Sequence, residues 1–344
     1  MDMRIDDAPA PNASAPTASA PKAAAADPSA TQAVVGAGRE GRPRRVLIIF
    51  NRNAGGGRKI ARLEEVIELL KRSGVDVELH ETSFAGDAGQ TANRARFLAT
   101  GPDMVICAGG DGTINEVVNG MAGGDTPLAL LPIGTANVLA AEIGLETDTA
   151  SVAAAILEGV SVPVHLGRAN DRYFVLMTGV GLDAEVVATV DVKLKRRTGK
   201  LAYALATLKR WAAYRNRRYR VTIDGTPYEA AAAIIANGHY YGGRFVCAEN
   251  ARITEPGLHA CLFQKPGRWQ AVYYMLALFG GFLDRLNTYR VIPARTVTIE
   301  DEGADAVGQG PVQGDGDIVT RLPVTVSVAE ETVIVRMPGR QAGA

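Results

Sequence analysis

The chain's hydrophobic pattern becomes regular at Val46-Leu-Ile-Ile-Phe50, an unbroken apolar run, and then changes period. Short, uninterrupted, β-branched runs read as strands buried on both faces. Leu63, Val66, Ile67 and Leu70 follow at i, i+3, i+4 and i+7, the spacing of one helix face. The exchange recurs: a strand at Val75–Leu79, a helix from about Asp87 to Leu98, and a strand at Met104–Cys107. A helix opening at Thr113, a strand at Leu128–Leu131 and a helix after Asn137 complete the series. Strict alternation to about residue 160 predicts a parallel sheet with helices on both faces.

Beyond that point the pattern changes. Runs at Val162–Leu166, Tyr173–Met177, Tyr219–Ile223, Ala230–Ala236 and His259–Phe263 read as strands. So do Arg290–Ile292, Val297–Glu300, Val324–Val328 and Val333–Arg336. Turn dipeptides such as Asp224-Gly225 and Asn237-Gly238 separate them, and helical insertions at about 183–215 and 267–284 interrupt them. This predicts a β-rich, mainly antiparallel second domain, a sandwich or an open barrel. The expected division is a tail over 1–43, an α/β domain over 44–160 and a β-rich domain over 161–340.

Composition adds little to the α/β picture but changes that of the tail. A length of 344 residues with 47% hydrophobic and 22% charged side chains fits a soluble globular protein of one large or two ordinary domains. Lys+Arg and Asp+Glu are both 37, so net charge gives no reason to expect a nucleic-acid partner, and only local clustering speaks to partners. Cys107, Cys247 and Cys261 lie in apolar runs and read as reduced core residues, which favours a cytoplasmic setting. The first 43 residues are rich in Ala and Pro, carry no aromatic side chain and follow no period, so they read as disordered. They also lack the apolar core of a secretory signal. Gly36-Ala-Gly38-Arg-Glu-Gly41 matches G-x-G-x-x-G but precedes the first strand, where that pattern has no mechanism.

Candidate chemistry sits in the turns that follow the strands. Ala-Gly109-Gly110-Asp111-Gly112-Thr113 joins an apolar strand to a helix whose start, Thr113-Ile-Asn-Glu116, has the form of a capping box. Glycines there let a phosphate approach free N–H groups. Asn51 to Gly57, with Gly55, and Gly134-Thr135-Ala-Asn137 are further turns at the same predicted sheet edge, which strengthens a nucleotide site. No G-x-x-x-x-G-K-[ST] occurs, so a P-loop NTPase is excluded. A carboxylate beside phosphates implies an intervening divalent cation, which makes Asp111 a pointer to Mg²⁺-nucleotide. Asp111 also suits a helix cap, and Thr113 and Thr135 are each caps or phosphate donors.

GGDGTINEVVNG at 109–120, NRNAGGG at 51–57 and PIGTANVLAAEIGL at 132–145 together resemble the catalytic domain of the diacylglycerol kinase family of lipid kinases, which includes the sphingosine and ceramide kinases. Thr178-Gly-Val-Gly-Leu-Asp183-Ala, Asn237-Gly238 with Gly242-Gly243, and Gly314-Asp315-Gly316-Asp317 match later motifs in order, so the resemblance runs from about 44 to 338. It implies a Rossmann-like ATP-binding domain, a β-rich second domain and an active site in the cleft between them. Carried over by position, the nucleotide site uses Asn51, Gly55, Thr82, Gly109, Gly110, Asp111, Gly112, Thr113, Asn115, Gly134, Thr135 and Asn137. The catalytic carboxylates implied are Asp317, Asp111 and Asp315, with either Asp317 or Asp111 as the general base. Asp317 stands where the family has glutamate, about 1.3 Å less reach, and a misplacement of about 1 Å costs on the order of 10²-fold in rate. Pro256 in Ile253-Thr-Glu255-Pro256-Gly257 replaces a carboxylate of the family's structural magnesium site, which leaves the metal ligands there unknown.

The implied activity is transfer of the γ-phosphoryl group of Mg-ATP to a lipid hydroxyl, diacylglycerol by default. Two other readings stay open: an NAD kinase-like enzyme with a soluble acceptor, and a lipid-binding relative that has lost catalysis. Between Lys193 and Arg220 lie eleven Lys/Arg and no acidic residue, interleaved with Leu201, Tyr203, Leu205, Leu208, Trp211 and Tyr214. That segment reads as a basic helix for an anionic membrane surface, hence peripheral membrane association. Trp269–Leu283 is apolar but shorter than the roughly 20 residues a bilayer needs, so it reads as a buried helix or part of a lipid-access groove. A homodimer is compatible with this reading.

Overall fold

The computed structural model describes residues 41–54, 58–98, 100–189, 217–302 and 310–339. Residues 1–40 of the tail, Gly55 and most of the basic 193–220 segment lie outside them. The alternation read from the sequence is present: β1 (Arg45–Phe50), α1 (Arg58–Arg72), β2 (Asp76–Glu81), α2 (Asp87–Phe97), β3 (Met104–Gly109), α3 (Asp111–Met121), β4 (Leu128–Pro132), α4 (Val138–Glu142) and α5 (Thr149–Glu158). Strands β2, β1, β3 and β4 pair in that order, all parallel. β1, β3 and β4 are apolar because helices cover both faces, whereas edge strand β2 is largely exposed.

The sheet continues into the second half of the chain. β18 (Val324–Met337) runs parallel to β4 through Val335 and Leu128, and antiparallel to β5 (Val160–Ala169) along its length. Its beginning pairs with β15 (Thr296–Asp301), which leads to β8 (Tyr219–Ile223) and β9 (Thr226–Ala230). The expected strands Val324–Val328 and Val333–Arg336 are therefore one strand with a register break between Val328 and Thr332. A second, antiparallel sheet has the order β14 (Tyr289–Ala294), β13 (Leu258–Phe263), β10 (Ala232–Ala236), β7 (Met177–Val180), β16 (Pro311–Gly314) and β17 (Asp317–Arg321). One core, around Ile48, Ile106 and Leu130, lies under the parallel strands. Another, around Val221, Ile235, Leu262 and Val297, fills the space between the two sheets. Cys107, Cys247 and Cys261 are free thiols, all buried.

Local structure departs from the pattern where side chains take over backbone hydrogen bonds. The expected strand Tyr173–Met177 splits into β6 (Arg172–Phe174) and β7, because the N–H groups of Val175, Leu176 and Met177 donate to the buried Asp315 carboxylate. Helix α3 begins at Asp111, not Thr113, with Gly110 as its N-cap and no side-chain cap bond. The Thr113–Glu116 capping box is thus not the start of the helix, and the Thr113 hydroxyl accepts from Asn51 instead. The hairpin β16–β17 and the short pair β11 (Tyr240–Tyr241) and β12 (Phe245–Val246) carried no clear alternation in the sequence. α6 (Leu182–Thr189) opens the first helical insertion, and α7 (Arg268–Phe279) forms the second. α7 buries only Tyr274, Ala277 and Leu278, so a wholly buried helix is not what forms there.

Candidate active site

Parallel strands end together, so the loops that follow them share one edge. Extra backbone bonds hold these loops in register past the strand ends: Asn51 N–H donates to Ala108 at 3.0 Å, Thr82 N–H to Phe50 at 2.8 Å and Ile133 N–H to Gly109 at 3.0 Å. Asn51, Thr82, the 109–113 turn and the 134–137 turn are thereby gathered side by side. Asn51 is spent on organising its surroundings. Its Nδ2 donates to Thr113 Oγ1 at 2.9 Å, and its Oδ1 accepts from Asn53 N–H at 2.9 Å.

The two inner turns touch backbone to backbone. A Cβ on Gly134 would lie 2.5 Å from Gly110 Cα, so neither turn could carry a side chain at that contact. Asn137, at φ 50°, donates Nδ2 to Gly134 O at 3.3 Å, while its Oδ1 is buried without a protein donor. An orphaned acceptor beside a glycine-walled turn fits a ligand that brings its own donors. Thr135 is exposed at the same rim. At the start of α2, buried Asp87 accepts from Ser83 N–H at 2.7 Å and lies 3.3 Å from His80 Nε2, pinning the loop that carries Thr82.

The three catalytic candidates have different surroundings. Asp111 Oδ1 accepts from Val138 N–H at 2.7 Å and Oδ2 from Asn137 N–H at 3.0 Å, so it caps the neighbouring helix α4 rather than its own. Burial raises its pKa, opposed by those N–H groups and reinforced by the nearby Asp317 charge. Asp315 is deeper. Its Oδ2 accepts from Asn115 Nδ2 at 2.8 Å and Val175 N–H at 2.7 Å, and its Oδ1 from Leu176 and Met177 N–H at 2.9 and 3.0 Å. Burial pushes its pKa up while these donors hold it down. Asp317 is exposed, and among the described residues its carboxylate accepts no hydrogen bond. It hangs over the start of α3: a Cβ on Gly112 would meet Asp317 Oδ2 at 2.6 Å.

A two-residue hairpin sets this placement. Gly314 pairs with Asp317, and Asp315 and Gly316 between them take φ 49° and 90°, the double positive φ of a type I′ turn. Asp315 is thus both turn former and anchor, and fixing it fixes where Asp317 points. Asn115 is buried against Asp315 and Tyr173 O. Asn119, one helical turn later, exchanges hydrogen bonds with Tyr173 at 3.0 Å in each direction. The sequence reading missed Asn119, although an i, i+4 asparagine pair on an apolar helix face marks a polar seam. Glu142 was also missed. It closes the other end of α4 by accepting from the N–H groups of His239 and Tyr240, directly after the Asn237-Gly238 turn. Asn237 itself is 1% exposed and donates to His165 O and Val175 O. Asp183 lies in α6, where its side chain is outside the described residues. Among the described residues no three His, Cys, Asp or Glu side chains converge on a metal-sized site.

Residues 45–169 match the family model described as the diacylglycerol kinase catalytic domain, and 177–337 match the YegS C-terminal NAD kinase beta sandwich-like domain. A diacylglycerol kinase of Mycobacterium tuberculosis is 28% identical over 303 residues, covering 86% of this chain and 95% of that protein. A Klebsiella pneumoniae protein named "Probable lipid kinase YegS-like" is 30% identical over 236 residues, 67% of this chain and 78% of the relative. The diacylglycerol kinase of Bacillus subtilis is 35% identical over 191 residues, where the chain spans 62% of the relative's length. A crystal structure of a diacylglycerol kinase from Bacillus anthracis superposes with a TM-score of 0.68 at 24% identity, covering 86% of this chain and 97% of that one, a likeness of fold.

Proposed function

The chain belongs to the diacylglycerol kinase and YegS-like lipid kinase family, a family of kinase enzymes, and from that premise we propose that it transfers the γ-phosphoryl group of Mg-ATP to a lipid hydroxyl, diacylglycerol first among acceptors. The observation that carries the reading is the position of Asp317. It is the catalytic candidate with unengaged oxygens, and it faces the glycine turn where phosphates would rest.

In this reading the 44–160 part holds the nucleotide and the 161–340 part the lipid. N–H groups of the 110–113 turn and of residues 135–136 donate to phosphate oxygens. Asn51 and Asp111 do not touch the reacting atoms; they brace the turns against one another. Asp317 accepts the proton of the attacking hydroxyl. The acceptor oxygen bonds to the γ-phosphorus, the bond to the β–γ bridging oxygen breaks, and ADP leaves. Asp315 keeps Asp317 in place through the turn they share. Mg²⁺ bound with ATP would need one or two carboxylates beside its waters and phosphate oxygens, and Asp317 is the carboxylate beside that turn whose oxygens are unengaged. Its chemistry is to neutralise charge developing on the leaving phosphates. The basic 193–220 segment, outside the described residues, is proposed as one contact with anionic membrane.

The test is transfer of labelled γ-phosphate from Mg-ATP to diacylglycerol, monoacylglycerol, sphingosine, ceramide and undecaprenol in mixed micelles, with NAD as soluble control. A labelled lipid that vanishes with Asp317→Ala supports the reading. Labelled NAD alone, or no product with any acceptor, overturns it.

A further inference from the structure

Helix α7 presents an apolar face to solvent. Trp269, Tyr273, Leu276 and Phe279 are 68, 46, 58 and 53% exposed, and the first three share one side of the helix at i, i+4 and i+7. The opposite face holds the helix rigidly: Tyr274, Ala277 and Leu278 are buried, and Tyr274 Oη donates to Thr288 O at 3.0 Å while accepting from Lys265 N–H at 3.1 Å. Phe245 and Val246 of β12 extend the patch, with the Phe245 and Phe279 rings 4.6 Å apart between centroids. A contiguous exposed apolar surface on a soluble fold marks a contact surface.

Charge selects its occupant. No Asp or Glu occurs from Pro256 to Leu283, while Lys265 and Arg268 sit at the start of α7; Arg244 in the β11–β12 turn is paired with Glu146 at 3.6 Å. Cations at a helix N-terminus oppose the helix dipole, so their placement is not explained by the helix itself. An apolar helix face whose own segment carries cations and no acid matches the surface of a bilayer containing anionic lipid. The patch is also tied to the site. β11, paired to β12, donates Tyr240 N–H to Glu142 at the end of α4, whose first N–H groups hold Asp111.

We infer that the outward face of α7 and the β11–β12 hairpin seat the protein on an anionic lipid surface, from which the acceptor enters the cleft. This rests on the lipid-kinase reading for the identity of the acceptor, but not for the docking itself. The full chain is floated with phosphatidylcholine vesicles, with and without phosphatidylglycerol, beside turnover of a dispersed short-chain diacylglycerol. Wild type binds the anionic vesicles. Tyr273→Glu/Leu276→Glu, both at exposed positions, binds them on the order of tenfold less, with its melting curve and short-chain turnover unchanged. Lys265→Glu/Arg268→Glu removes the preference for phosphatidylglycerol. The inference is overturned if wild type floats with no vesicle, or if Tyr273→Glu/Leu276→Glu floats like wild type. It is also overturned if that variant converts a dimer to a monomer without changing flotation, which makes the face a contact between copies of this chain. Loss of flotation in the variant, with no lipid phosphorylated by wild type, keeps the docking and removes the kinase reading.

Discussion

Gly112→Ala separates the stability of α3 from the chemistry proposed at its start. Gly112 lies in the first turn of the helix with ordinary backbone angles, so alanine fits the backbone and favours the helix by roughly 0.5–1 kcal/mol. Its Cβ would nevertheless stand 2.6 Å from Asp317 Oδ2. Carbon and oxygen settle no closer than about 3.3 Å, so the carboxylate must retreat by roughly 0.7 Å or more. Displacement on that scale costs up to about 10²-fold in rate, near 2.7 kcal/mol in the barrier. The expected variant melts no lower than wild type and loses one to two orders of magnitude in kcat. Both single variants and Gly112→Ala/Asp317→Ala are compared by labelled phosphate transfer and thermal denaturation. If the loss acts through Asp317, Gly112→Ala adds almost nothing in the Asp317→Ala background. A full further loss in that background would mean the methyl obstructs the nucleotide instead. A Gly112→Ala variant with undiminished kcat, beside an inactive Asp317→Ala, would refute the placement of Asp317 altogether.

Other expectations concern the residues that hold the site. Asp315→Asn puts an amide N–H₂ among four donors, and a cost of about 2–4 kcal/mol is expected by urea denaturation, with activity falling in parallel. Gly134→Ala forces a Cβ to 2.5 Å from Gly110 Cα, backbone that cannot swing aside; KM for ATP rises on the order of tenfold or more in initial-rate assays. Asp87 has its pKa lowered, chiefly by the Ser83 N–H, so it contributes stability above the ordinary carboxylate range that is lost as pH falls through its lowered value. Asp87→Asn should therefore cost about 1 kcal/mol at neutral pH, with the gap to wild type closing in acid denaturation curves below about pH 4.

Much of the first half was legible because its signals are local. An apolar run followed by a 3.6-residue period defines a strand and a helix within a dozen positions, and Gly-rich turns after successive parallel strands must meet at one edge. That is why the turns at Asn51, Gly109–Thr113 and Gly134–Asn137 lie side by side, whereas Thr82 joined them only through the family resemblance. Tyr173–Met177 was misread as one strand because its interruption comes from Asp315, more than a hundred residues away in the chain. The sequence left α7 as a buried helix or part of a lipid-access groove for a related reason, and the first of these is not what forms. Its apolar content is continuous, and only the neighbours it packs against decide which side is buried.

The hydrophobic periods and the glycine turns at the strand ends thus determined the α/β architecture and its candidate phosphate turns, and the family resemblance added Asp315 and Asp317 to Asp111. Tertiary structure alone gave those three their different surroundings. A carboxylate is the same chemical group at each position, and what it can do depends on which donors surround it. Asp111 is occupied by the N–H groups of a neighbouring helix, Asp315 by four donors from two other segments, and Asp317 remains exposed beside Gly112. Those donors come from distant parts of the chain, and only folding brings them within hydrogen-bonding distance.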